Sequence, residues 1–279
     1  MLSPLQKKRL LEYLKEDLSK GDVTASLLPN QNAEAFLKAK ENCVVAGLEE
    51  SAFLAKSRGV KFRALKKAGA RARKNEKVAK LSGKVRAIVE VERTILNVLG
   101  RMSGVATISK KAADLAGKKV KVFATRKTMP GFNEFDKKAT LFGGAFPHRK
   151  NLNEMILIKP NHLLFLDSIS EAVKKAKKAK KNTRIKKAEV EVKNLKQALE
   201  AAHEGADWVM LDNFSVKQAK KAVKVLREVA PKTIIECSGR INLKNIKQYA
   251  GAGPDIISLG QITKEAGITD FSLYVVKNE

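Results

Sequence analysis

The second half of the sequence constrains the fold most. Six short apolar runs with strand character fall at residues 121–124, 155–158, 188–192, 208–211, 233–237 and 255–259. Between the later ones lie stretches of helical periodicity, at 170–181, 195–204, 216–229 and 243–250. Apolar strands joined by amphipathic helices pack as a parallel sheet covered on both faces. Six such units in about 140 residues predict a compact, incomplete α/β barrel, with an open doubly wound sheet as the alternative.

The first 90 residues read differently. Residues 4–18 have helical spacing through Leu10, Leu11, Leu14 and Leu18. Strand candidates follow at 35–39, 42–46, 60–65, 77–81 and 85–89, punctuated by Gly47, Gly59, Gly69 and Gly83. This predicts a small α+β domain. Residues 90–115 then read as a helix, with a bend expected near Gly100 and Gly104.

With 279 residues the chain is long enough for two domains or one large barrel. Its two cysteines, Cys43 and Cys237, exclude a disulfide framework and a four-cysteine zinc site, and they suit a reducing compartment. No apolar run approaches the ~18 residues of a membrane span, and the N-terminal stretch lacks the uncharged core of a secretory signal. A soluble, cytoplasmic protein with no membrane partner is expected.

The charge balance is extreme, with 56 Lys+Arg against 29 Asp+Glu, a net +27. Such a charge attracts polyanions. The two densest basic runs, 56–86 and 174–187, do not interleave aromatics with their charges as a single-strand stacking platform would. In KKAKKAKK alanine recurs every third residue, the pattern of a solvated helix face. No specific nucleic-acid partner is therefore expected. A non-enzymatic polyanion-binding protein is kept only as a remote alternative.

Each barrel strand runs into reactive or phosphate-friendly residues. They are Thr125-Arg126-Lys127-Thr128, then Lys159 with Asn161 and His162, Glu191, Asp212-Asn213, Ser238-Gly239 and Ser258-Leu259-Gly260. In a parallel barrel these ends converge on one mouth, where active sites lie. Arg126, Lys127, His148, Arg149 and Lys159 supply cations, and Glu191 and Asp212 supply carboxylates. Hydrolase elbow, H-E-x-x-H, G-x-G-x-x-G and Walker motifs are absent. Many cations with two carboxylates point to a substrate rich in carboxylate or phosphate, together with Mg²⁺. Of the remaining candidates, His203, Trp208 and Cys237 read as structural residues. Glu189 shares a strand face with Glu191 and reads as its neighbour in an ion network.

The order and spacing of several blocks resemble the quinolinate phosphoribosyltransferase family. They include EDLSKGDVT (16–24), VERTILNVLGRMSGVAT (91–107), ATRKTMPGF (124–132), GGAFPHRKNL (143–152), ILIKPNH (156–162), VMLDN (209–213), ECSGRI (236–241) and IISLGQIT (256–263). The resemblance implies phosphoribosyl transfer from 5-phosphoribosyl 1-diphosphate to quinolinate with loss of CO₂, for NAD synthesis, with Mg²⁺ as cofactor. It implies an N-terminal α/β sandwich domain (1–104), against which the tail (266–279) packs, and an open, about seven-stranded α/β barrel (105–265). It places Arg126, His148, Arg149 and Lys159 around quinolinate, with Arg93 reaching in from the neighbouring subunit of a homodimer or larger homo-oligomer with shared active sites. Lys127, Glu191 and Asp212 would serve the diphosphate, ribose and Mg²⁺, while Ser238, Gly239 and Gly260 would hold the 5-phosphate. Lys159, Glu191 and Asp212 are the catalytic candidates.

The sequence departs from the family pattern at Ala124, Pro160, Arg240 and Lys264. The last two fall at the expected 5-phosphate site. Nicotinate phosphoribosyltransferase or a related transferase is the alternative reading.

Overall fold

A computed structural model describes residues 1–276, so residues 277–279 of the expected tail lie outside the described residues. The chain divides into two compact units. One comprises Met1–Lys110, Thr128–Gly144 and the residues from Glu265; the other comprises Lys111–Lys127 and Ala145–Lys264.

The first unit opens with helix α1 (Pro4–Leu18). Ser3 starts it with a capping box closed by Gln6, and Pro4 stands in the first turn. A short 3₁₀ turn, Ala25–Leu27, precedes β1 (Asn32–Ala39), β2 (Cys43–Val44), α2 (Leu48–Ser57), β3 (Lys61–Ala64), β4 (Arg71–Ala72), β5 (Lys77–Lys84) and α3 (Val85–Ala116). Helix α4 (Asn133–Phe142) and β13 (Phe271–Val276) complete the unit. Its antiparallel sheet has the order β13-β1-β5-β3. Alternate residues of β1, namely Ala33, Ala35, Leu37 and Ala39, are buried, so one face of the strand meets the core.

One expectation is corrected here. Residues 85–89 are not a strand but the first turn of α3. Only Ile88 of these five is fully buried, and Val91 and Ile95 continue its face at helical spacing. Gly100 and Gly104 lie within one uninterrupted helix and serve close approach. A Cβ on Gly104 would sit 1.9 Å from the Gly267 carbonyl oxygen, and one on Gly100 would sit 2.7 Å from that of Thr269. The Thr269 N–H donates to the Gly100 carbonyl at 3.1 Å.

The second unit contains β6 (Lys121–Ala124), β7 (Phe146–Pro147), β8 (Ile156–Ile158), β9 (Ala188–Val192), β10 (Trp208–Asp212), β11 (Ile234–Ser238) and β12 (Ile256–Leu259). Its helices are α5 (Pro160–Leu163), α6 (Ile169–Lys181), α7 (Leu195–His203), α8 (Val216–Val229), α9 (Ile246–Ala250) and α10 (Gln261–Lys264). The seven strands form one parallel sheet in the order β7-β6-β12-β11-β10-β9-β8, so β7 and β8 are its edges and the barrel is open. Ser168, Asn194 and Ser215 each accept a backbone N–H from the residue three positions on, which fixes where α6, α7 and α8 begin. Helix α6 buries Ile169, Ala172, Val173 and Ala176 and leaves Lys174 and Lys175 exposed, the solvated face expected of its lysine run. No helix among the described residues is long and apolar enough to cross a membrane.

Candidate active site

The C-terminal ends of all seven strands surround one cavity of about 590 Å³. Arg126 and Lys127 enter it after β6, His148 and Arg149 after β7, and Lys159 after β8. Glu191 comes from β9, Asp212 from the end of β10, Ser238 and Gly239 from β11, and Gly260 follows β12. Ten of the eleven site residues expected from sequence therefore line one cavity within the second unit. Arg93 does not. It is an exposed residue of α3 in the first unit.

The two carboxylates are held by lysines. Glu191 Oε2 accepts from Lys159 Nζ at 2.9 Å, and Glu191 Oε1 lies 3.5 Å from Lys193 Nζ. Lys193 also pairs with Asp212 Oδ2, which accepts from Asn213 Nδ2 at 2.7 Å. Neighbouring parallel strands β9 and β10 thus present their acids side by side, with Lys193 bridging them.

The loop after β11 is shaped by left-handed backbone. Gly239 has φ +85°, and a Cβ there would lie 2.5 Å from Asn213 Oδ1 and 2.7 Å from the Asn213 nitrogen. The position admits only glycine. Asn213 and Arg240 also have positive φ, at 58° and 53°. Arg240 lines the cavity, whereas Lys264 does not. The hydroxyl of Ser258 donates to that of Ser238 at 3.0 Å, tying β11 to β12 at the cavity wall.

Arg149 is half-buried. Its Nη1 donates to the Met155 carbonyl at 3.1 Å, and burial with the nearby Arg126 charge pulls its guanidinium below the ordinary arginine range. The Glu189 charge offsets this only in part, so Arg126 and Arg149 are two like charges lining one cavity, an arrangement that favours an anion between them.

A buried cluster forms part of the cavity wall, with His148 and Glu236 in its lining. His148 Nε2 is 3.2 Å from Glu189 Oε2 and 3.4 Å from Glu236 Oε2, and both carboxylates are fully buried. Burial pulls the imidazole down, but the two carboxylates outweigh it and push it towards about 9. A second ring proton, however, would displace the Arg149 amide, which donates to His148 Nδ1 at 2.9 Å. The ring therefore keeps its proton on Nε2, facing the acids. Burial and the Glu236 charge push Glu189 up to about 7, so His148, Glu189 and Glu236 together hold an extra proton near neutral pH. The three side chains are close enough to surround an ion, and a metal at Nε2 would have to displace the proton there.

Glu189 was legible only as a neighbour of Glu191, and Glu236 was missed. Its signal was a lone carboxylate inside an apolar strand, which must find a partner or a proton. Lys193 was missed because nothing local distinguishes it from other surface lysines. Cys237 is buried with its thiol pushed up to about 12, the packing residue expected. Trp208 is buried edge-on to the rings of Phe123 and His148. His162 is exposed and accepts the Lys159 N–H, a local turn contact.

Comparison with known proteins agrees over the full length. Residues 22–103 match the family profile described as quinolinate phosphoribosyl transferase, N-terminal domain, and residues 105–274 match that of its C-terminal domain. The probable nicotinate-nucleotide pyrophosphorylase [carboxylating] of Methanocaldococcus jannaschii is 38% identical, covering 99% of each chain. The protein of that name in Bacillus subtilis is 35% identical over 98% of this chain and 95% of its own. The solved structure of the nicotinate-nucleotide pyrophosphorylase from Francisella tularensis superposes with a TM-score of 0.93 at 36% identity, covering 99% of this chain and 98% of that one.

Proposed function

This chain belongs to the quinolinate phosphoribosyltransferase family, and from that premise we propose that it joins quinolinate to 5-phosphoribosyl 1-diphosphate. The products are nicotinate mononucleotide, pyrophosphate and CO₂, and the setting is NAD synthesis in the cytoplasm. One observation carries the reading: Arg126, His148, Arg149 and Lys159 share a cavity with Lys127, Glu191, Asp212, Ser238, Gly239 and Gly260.

Quinolinate carries two carboxylates, so its pocket needs several fixed cations. Arg126 and Arg149 supply planar forks that bond both oxygens of a carboxylate at once. Lys159 adds a third cation, held in place by Glu191. His148 is positioned by Glu189 and Glu236. At the donor end, Lys127 stands where negative charge grows on the departing diphosphate as the ribosyl carbon becomes cation-like. Ser238, Gly239 and Gly260 offer a hydroxyl and open backbone to the 5-phosphate, and Arg240 adds a guanidinium beside them. Holding the pyridine nitrogen against the ribosyl carbon accounts for much of the acceleration.

Glu191 and Asp212 fit Mg²⁺. They are two hard oxygen donors from adjacent strands, a set suited to an ion that takes its other oxygens from substrate and water. When bound, the ion supplies positive charge to the diphosphate. Arg93 completes the quinolinate site of a partner chain in this reading, so the minimal active unit is a dimer.

Pyrophosphate release with alternative acceptors tests the proposal. Quinolinate supports release in the presence of the phosphoribosyl donor and Mg²⁺, and nicotinate does not. Release driven by nicotinate in preference to quinolinate would assign the chain to the alternative transferase activity.

A further inference from the structure

We propose that the Lys193 ammonium is a resident counter-ion of the Glu191–Asp212 pair, which a divalent cation must displace to bind. The proposal rests on the reading of these two carboxylates as the magnesium ligands. It starts from a contact that reading does not use: Lys193 Nζ pairs with Asp212 Oδ2 and lies 3.5 Å from Glu191 Oε1. The ammonium occupies the gap between the two acids.

The surroundings separate what is fixed from what can move. Lys193's backbone is pinned. Its N–H donates to Gln197 Oε1 at 2.8 Å, and Asn194 caps the same first turn of α7. Its side chain is 47% exposed, so the ammonium has water to swing into. The carboxylates stay where they are. Their side chains are only 11% and 14% exposed, and each keeps a second partner, Lys159 for Glu191 and Asn213 for Asp212. When Lys193 leaves, two oriented acids remain around the vacated position.

A dication and an ammonium cannot share that gap, because like charges a few ångströms apart in a partly desolvated site repel strongly. The substrate-free protein therefore binds metal only in the fraction of molecules whose Lys193 has swung out. Its apparent affinity is lowered by that fraction. Without a metal, the same ammonium offsets the repulsion between the two neighbouring carboxylates.

Direct Mn²⁺ titration of the substrate-free protein, read from the loss of the free-ion paramagnetic signal, tests this without reference to turnover. Lys193→Met keeps the chain length and removes the charge, and it should tighten Mn²⁺ binding about tenfold. Lys193→Arg keeps the charge and should remain within about twofold of wild type. Glu191→Gln and Asp212→Asn should each weaken binding. Unchanged or weaker binding in Lys193→Met, with both carboxylate variants impaired, overturns the Lys193 proposal alone. Wild-type binding in both carboxylate variants overturns the magnesium assignment and this proposal with it. Binding undetectable in every protein, Lys193→Met included, also overturns it.

Discussion

Glu189 holds its proton at a pH where most carboxylates have lost theirs. Burial and the Glu236 charge push it from 4.5 up to about 7, so between those values the folded protein binds a proton that the unfolded chain releases. Stability must therefore fall as pH rises through that window, by an amount of the order of 1–3 kcal/mol. Glu189→Gln cannot ionise and should flatten this dependence. Urea midpoints measured at about pH 5 and about pH 8 should drop less in the variant than in wild type, and equal drops would mean that the proton resides elsewhere. At this scale the sequence was readable where a residue ends an apolar strand, as Lys159 and Asp212 do. It was opaque where the partner comes from a distant strand. Nothing local announces that Glu236 on β11 and Glu189 on β9 meet His148 after β7.

Elements were legible in proportion to the length of their pattern. Helices α6, α7 and α8 and strands β9 to β12 each present enough residues for a period to declare itself. Strand β7 has two residues, one of them a proline, and its place at the sheet edge comes from pairing with β6. The start of α3 was misread because three β-branched residues in five fit a strand as well as a first helical turn, and only the residues beyond Val89 decide. The helix also carries the sharpest packing constraint. Gly104→Ala would drive a methyl group into the Gly267 carbonyl and should cost at least about 2 kcal/mol. Gly267→Ala meets no atom within 4 Å and should stay within about 0.5 kcal/mol of wild type. Chemical denaturation of the two variants checks the contrast. Equal losses would show that the glycine at 104 is not there for close approach.

For the whole molecule, the proposed quinolinate cation set includes one residue that does not line the cavity of its own chain. Arg93 is exposed and outside the cavity, and its proposed role lies across a two-fold interface. Arg93→Ala and Lys159→Ala homodimers should each be nearly inactive. After subunit exchange, half of the dimers are mixed, and in each of these one site carries both lesions and the other neither. About one quarter of wild-type activity should return. Activity that stays at the parental level after verified exchange would keep Arg93 within its own subunit. The central claim, however, is the chemistry at the barrel mouth, and the fate of one carboxylate decides it. Quinolinate radiolabelled in its 2-carboxyl group, incubated with 5-phosphoribosyl 1-diphosphate, Mg²⁺ and the protein, should release labelled CO₂ in step with nicotinate mononucleotide, one for one. Nucleotide that retains the label, or no release above the protein-free control, would contradict the account.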